Sequence, residues 1–159
     1  MATKNQRQYE RNDNNYAVAY YRYSSAGQRD VSIEQQREHC ERYAAEKGYQ
    51  IVEAFEDRAK TGLTAERADY KRMLHAIDKI RPAALICYKT DRLGRDLSEL
   101  KQVEATINDM GCFLETVMEP FVDPTDPNAP LMRGVQFGMA EAYSRQIADH
   151  IQREVDDNS

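Results

Sequence analysis

Ala83-Ala84-Leu85-Ile86-Cys87-Tyr88 is the stretch on which the fold turns. It is a short, continuous apolar run with no polar face. A strand of this kind is buried on both sides, and it belongs in a parallel sheet covered by helices. Working upstream, Pro82 closes a helix expected over Ala68 to Ile80, in which Tyr70, Met73, Leu74 and Ile77 fall at i, i+3, i+4 and i+7. Downstream, Leu97, Leu100, Val103, Ile107 and Met110 stripe a second helix closed by Gly111. Cys112 to Val117 follows as another strand.

The same alternation reaches the start of the chain. Tyr16 to Tyr23 is rich in aromatic and β-branched residues and reads as a strand. After a turn through Ser25, Ala26 and Gly27, Ser32 and Gln35 have capping-box spacing. Ile33, Cys40, Tyr43 and Ala44 give that helix its apolar face, and Gly48 stands where a helix stops. Gln50 to Phe55 is a further strand, and Thr61 to Ala65 reads as a loop. Strands separated by helices pair in parallel through right-handed crossovers. The expected fold is therefore α/β: a mostly parallel central sheet of four or five strands flanked by helices, plus a long C-terminal helix.

That last helix follows a loop containing Pro120, Pro124, Pro127 and Pro130, and is expected from Leu131 to about Val155. Met132, Val135, Met139, Tyr143, Ile147 and Ile151 form one narrow stripe along it. Such a stripe suits a partner helix as well as the helix's own core. Residues 1–15 are polar, rich in Asn, Gln and Arg, and read as a disordered arm. The expected organisation is an arm at 1–15, a compact domain at 16–130 and the long helix at 131–159.

The chain has 159 residues, 41% hydrophobic and 31% charged, which describes one ordinary globular domain. There is no apolar run long enough to span a membrane and no secretory leader, so the expected location is cytoplasmic. Cys40, Cys87 and Cys112 are dispersed and odd in number, which fits buried reduced thiols. They and the scattered His39, His75 and His150 lack metal-ligand spacing. The net charge of −5 opposes a chain that coats nucleic acid by itself, but it does not forbid an arginine-lined pocket.

In an open parallel sheet the functional crevice lies at the carboxyl ends of the strands. After the first strand comes Arg22-Tyr23-Ser24-Ser25. Arg22 and Ser24 would share a strand face if the strand ran that far. Arg22 could then lower the serine's pKa or hold a phosphate oxygen. Taken alone, a serine here is more often a turn residue or helix cap, and no histidine base lies near it in sequence. After the buried strand comes Lys89-Thr90-Asp91-Arg92-Leu93-Gly94-Arg95-Asp96. Paired arginines beside an aspartate bind phosphate oxygens through charged forks, although an ion-paired surface loop is the plainer alternative. Arg67, near the start of a helix, would add a third such ligand.

Together these segments resemble the serine recombinases of the resolvase, invertase and large-integrase superfamily. The resemblance runs from about Tyr16 to Ile151. It is carried by Tyr20-Tyr21-Arg22-Tyr23-Ser24 with Gln28, by Ser32-Ile33-Glu34-Gln35-Gln36, by Asp57…Thr61-Gly62…Arg67 followed by Met73-Leu74, and by Asp91-Arg92-Leu93-Gly94-Arg95. It implies that Ser24 forms a 5′-phosphoserine bond to DNA and releases a 3′-hydroxyl. Arg22, Arg67, Arg92 and Arg95 would surround the scissile phosphate. Asp91 would handle protons or hold an arginine, and Gln28 and Gln36 would support the pocket. The resemblance, rather than the spacing, singles out Ser24 over Ser25.

No metal or small-molecule cofactor is implied. The implied partners are DNA and further copies of the chain, as a homodimer and a synaptic homotetramer. Residues 16–130 would be the catalytic domain, and 131–159 the oligomerisation helix. Ala68 stands where proline is common, and Tyr143-Ser144-Arg145 where Glu-Arg is frequent. With the long Pro-rich loop, these departures point toward the large serine integrases. Relatives continue into DNA-binding domains, so the chain reads as an excised catalytic domain. The competing readings are a catalytically inactive oligomerisation module and a flavodoxin-like or receiver-like domain for a small phosphate ligand.

Overall fold

The apolar run at 83–88 forms the third of four parallel strands in the structure, a computed structural model that describes residues 9–23, 31–58 and 67–139. The strands are β1 (Tyr16–Arg22), β2 (Gln50–Asp57), β3 (Ala84–Cys87) and β4 (Phe113–Thr116). The helices are α1 (Ile33–Lys47), α2 (Ala68–Ile80) and α3 (Leu97–Asp109), and α4 occupies residues 129–139. The order across the sheet is β2-β1-β3-β4, all parallel.

The starts of α1, α2 and α3 lie where side chains satisfy their first N–H groups. Ser32 Oγ accepts from Gln35 N at 3.1 Å, and the Gln35 side chain accepts from Ser32 N at 3.1 Å, completing the expected capping box of α1. Gly48 ends α1 in the left-handed region, at φ 79°. Asp96 caps α3 by accepting from Glu99 N at 2.8 Å. α2 is capped from a distance. Asp57, the last residue of β2, accepts from Asp69 N at 3.1 Å and from Tyr70 N at 3.0 Å. This fixes the start of α2 against the carboxyl end of the sheet.

Side chains alternate across the strands and divide the core in two. Ala17, Ala19, Tyr21, Ala84 and Ile86 pack under Ile33, Cys40 and Ala44 of α1. Val18, Tyr20, Leu85, Cys87 and Leu114 meet Met73 and Ile77 of α2 and Leu100, Val103 and Ile107 of α3 on the other face. Right-handed crossovers require this arrangement. The connection from β1 to β2 runs one way along the sheet, and the next two run the other way, so their helices cover opposite faces. All three cysteines are buried and unpaired.

The disordered arm expected through residue 15 is corrected for residues 9–15. Asn12 Nδ2 donates to Met110 O at 2.8 Å and to Pro82 O at 3.1 Å, and Asn14 Oδ1 accepts from Ala83 N at 3.0 Å. Arg11 Nε donates to Ala83 O at 2.9 Å. The Arg11 guanidinium lies 5.2 Å from the Phe113 ring centre and 5.6 Å from that of Tyr49, and is paired with buried Glu115. The physical reason is coverage. The cluster under α1 takes in residues of β1, β2 and β3, so Phe113 and Glu115 on β4 are covered by this segment instead. Two element ends also differ from expectation. β1 stops at Arg22 rather than Tyr23, and α4 starts at residue 129 with Pro130 in its first turn, where a missing N–H costs nothing. The Thr61 to Ala65 loop and the helix beyond residue 139 lie outside the described residues.

Candidate functional site

β1 and β3 are neighbours whose chains depart toward opposite sides of the sheet, so the switch point lies between their carboxyl ends. Arg22 is the last residue of β1. Asp91 and Arg92 belong to a single 3-10 turn, Thr90–Arg92, that follows β3. Arg22 Nε donates to Arg92 O at 3.0 Å, and its Nη2 donates to Asp91 O. Arg92 is only 5% exposed. Its Nη1 donates to Arg22 O at 3.0 Å, and its Nε lies 3.3 Å from Asp91 Oδ1.

Gln36 on α1 completes this junction. Fully buried, it accepts from Arg22 N at 3.2 Å and donates to Arg22 O at 3.0 Å and Val31 O at 2.9 Å. The backbone of Arg22, two residues before Ser24, is thus gripped from both directions.

Arg67 stands just before α2 in the left-handed region, at φ 62° and ψ 39°, which is costly for a residue with a Cβ. Its guanidinium is stacked 4.0 Å from the Tyr70 ring centre, pairs with Glu99 and donates to Leu93 O. Leu93 O joins Arg67 to the turn that carries Arg92. Tyr20 OH donates to Asp57 at 2.7 Å, and its ring lies 6.0 Å from Arg67.

The charges register one another. Burial pulls the Arg22 pKa down, and the positive charges of Arg67 and Arg92 pull it further. Burial also works against the charged form of Arg67, but Tyr20 and Glu99 outweigh it and the pKa is raised. Burial and the Asp57 hydrogen bond push the Tyr20 phenol well above its ordinary value. Arginine remains charged through such shifts. Three fixed guanidinium groups at one crevice suit a phosphate-like anion.

The structure therefore brings together Arg22, Arg67, Asp91, Arg92 and Gln36. Arg95 is exposed on the turn after Gly94. Ser24, Ser25 and Gln28 lie outside the described residues. Three contributors were not singled out in the sequence. Tyr20 was visible as part of a strand. Glu99 has capping-box spacing from Asp96, but its carboxylate goes to Arg67. Glu119 accepts from Thr90 N at 2.7 Å and Thr90 Oγ1 at 3.0 Å, which holds the 3-10 turn, and nothing local marks it. Among the described residues there is no group of three or more His, Cys, Asp or Glu arranged to hold a metal ion.

The fold is an α/β domain with Arg22, Arg67 and Arg92 gathered at its switch point. The family model for the resolvase N-terminal domain matches residues 17–158, and the chain belongs to that family. The C-terminal catalytic domain of ISC1926 TnpA, an IS607-like serine recombinase, is 29% identical. That similarity covers 64% of this chain and 70% of that one, with a TM-score of 0.55. The N-terminal catalytic domain of TP901-1 integrase is 21% identical over 83% of this chain and 98% of its own, with a TM-score of 0.60. A resolvase family site-specific recombinase from Streptococcus pneumoniae is 24% identical over 88% and 95%, with a TM-score of 0.64. The last two likenesses concern the fold. No curated protein matches the chain.

Proposed function

We propose that this chain is the catalytic domain of a site-specific DNA recombinase that breaks and rejoins strands through Ser24. The observation that carries the reading is the convergence of Arg22, Arg67 and Arg92 at the switch point, with the β1 backbone clamped beside the serine's position. The Ser24 Oγ attacks phosphorus. The P–Oγ bond forms, the bond from phosphorus to the 3′-oxygen breaks, and that oxygen takes a proton to leave as a 3′-hydroxyl. The serine proton goes to a nearby acceptor. Asp91 would either take part in this traffic or hold Arg92, whose Nε lies 3.3 Å from its Oδ1. The arginines offset the negative charge that grows on the phosphoryl oxygens, the role usually given to charge clamps in phosphoryl transfer. Arg95 would approach the same phosphate from solvent. One diester is exchanged for another of similar energy, so rejoining needs no nucleotide. Attack by a 3′-hydroxyl from another strand reverses the step.

DNA is the proposed substrate and further copies of the chain the partners. α4 supports the assembly reading. It packs on its own domain through Arg133 and Phe137, leaving Leu131 69% and Met139 68% exposed along with Met132 and Val135. The stripe through Met132, Val135 and Met139 therefore faces away from the domain's own core. We assign residues 16–130 to the catalytic unit and 131–159 to oligomerisation. Among the described residues no helix is long and apolar enough to cross a membrane; a cytoplasmic location is part of the proposal.

The test is covalent trapping. A full-length recombinase carrying this domain is incubated with nicked DNA containing its site and run on a denaturing gel beside Ser24→Ala and Ser25→Ala. A 5′-linked adduct lost only with Ser24→Ala is expected. Loss only with Ser25→Ala would move the nucleophile by one residue. No adduct from an assembled, site-bound protein would favour the inactive module.

A further inference from the structure

We infer that Glu99 occupies, in the resting domain, the place on Arg67 that a phosphodiester takes during reaction, so that substrate must displace a carboxylate of the protein's own. The inference rests on the phosphate-pocket reading above. It starts from how Arg67 is held. Its side chain is 12% exposed, its ring-stacked guanidinium is fixed by Tyr70, and its two terminal nitrogens have different partners. Nη2 donates to the backbone carbonyl of Leu93, which the 3-10 turn holds in place. Nη1 donates to Glu99, whose side chain is 33% exposed and reaches Arg67 from the first turn of α3.

Only the second partner can be exchanged without unfolding anything. A glutamate side chain in the first turn of a helix can swing to solvent, whereas Leu93 O cannot leave its turn. A carboxylate and a phosphodiester each present two oxygens carrying one shared negative charge, and both fit the planar fork of a guanidinium. Swapping them keeps Arg67 neutralised before and after. The charge sum points the same way. Arg67 is paired with Glu99 and Arg92 lies beside Asp91, so Arg67 presents an unmatched positive charge only when Glu99 leaves. A free phosphodiester then binds Arg67 weakly, in competition with Glu99, and binding energy from elsewhere on the DNA favours the exchange.

Glu99 is thus a positioning residue that acts through Arg67. The test is an NMR titration of the whole chain, 15N-labelled at arginine, with dimethyl phosphate as a monoanionic diester probe. The Nε–Hε signals of Arg22, Arg67 and Arg92 are followed. Glu99→Gln is expected to bind the probe about fivefold more tightly than the original chain, the size of one partly exposed ion pair. The gain should vanish when Arg67→Lys is added. Glu99→Ser serves as a second variant and should show the same gain, with the amide spectrum reporting that each variant is folded. Binding unchanged or weakened in both variants, while the original chain still binds through Arg67, overturns the inference and leaves the pocket reading standing. A purely structural glutamate would give that result. No response of any of the three arginines in any variant overturns the pocket reading itself.

Discussion

Arg22 and Arg92 each donate a side-chain N–H to the other's backbone carbonyl, both at 3.0 Å. This reciprocal clasp ties the end of β1 to the turn after β3, across the switch point. It needs the arginine fork, because the Arg92 guanidinium must reach Arg22 O while its Nε stays beside Asp91. A lysine offers one compact ammonium instead. Arg92→Lys should lose about 1–3 kcal/mol of stability in chemical denaturation, the worth of one charge-assisted hydrogen bond to Arg22 O, which keeps only its Gln36 donor. It should also reduce adduct formation in the trapping assay by about 100-fold or more, if the clasped arginine also bears on the phosphate. Near-wild-type trapping would remove Arg92 from the pocket.

Gln36 makes three hydrogen bonds around the same strand end and has no contact with solvent. Gln36→Leu keeps the volume and removes the hydrogen bonds that Gln36 makes to Arg22 N, Arg22 O and Val31 O. A loss of about 2–3 kcal/mol is expected from urea denaturation. Gln36→Glu keeps the acceptor for Arg22 N, but it sets a carboxylate against two carbonyls in a buried place. It should be at least as damaging at neutral pH. Equal stability of all three proteins would contradict the clamp.

Gly94 is required for a steric reason. A Cβ there would lie 2.7 Å from Leu100 N and 2.8 Å from Leu100 Cα, so the backbone of α3 would have to retreat. Gly94→Ala should cost about 1–3 kcal/mol, as overpacking does. Because α3 carries Glu99, the Arg67 Nε–Hε resonance should shift as well. A variant with unchanged melting and an unchanged Arg67 signal would show that α3 yields freely.

Acid should loosen the N-terminal segment through Glu115. Burial alone would raise that carboxyl's pKa. Hydrogen bonds from Tyr43, Tyr49 and Arg11 outweigh burial and hold it below the ordinary value of 4.5. A group whose pKa is depressed by folding stabilises the fold above its unfolded pKa, and the contribution is lost as pH falls through the folded value. The original chain should therefore lose stability below about pH 4.5 more steeply than Glu115→Gln, with the two curves converging in acid. Glu104, whose side chain is 13% exposed, acts in the opposite sense. Burial raises its pKa despite Arg133, so acidification relieves rather than removes stability there. Parallel melting curves for the original chain and Glu115→Gln from pH 7 to pH 3 would rule out the linkage.

Much of this protein was legible in its sequence because the signals are local. The apolar run at 83–88, the capping box of Ser32 and Gln35, the left-handed stop at Gly48 and the stripe of α2 each depend on neighbours within a few residues. Together they dictate parallel strands joined by helices. The order of motifs from Arg22 through Asp91 and Arg92 likewise carried the family resemblance. The long-range decisions were different. Only the order β2-β1-β3-β4 makes β1 and β3 neighbours and sets Arg22 against Arg92, residues 70 positions apart in the chain. Only folding carries Glu99 to Arg67 and Glu119 to Thr90, in each case across about 30 residues. The arm misread as disordered is the clearest case. Arg11, Asn12 and Asn14 look like solvated polar residues because nothing near them in sequence supplies a partner. Their partners, the carbonyls and N–H groups at residues 81–83 and 110–111 and the carboxylate of Glu115, come within reach only after the sheet has formed. Local periodicity fixed the elements, whereas the placement of polar groups depended on which distant backbone atoms the sheet left uncovered.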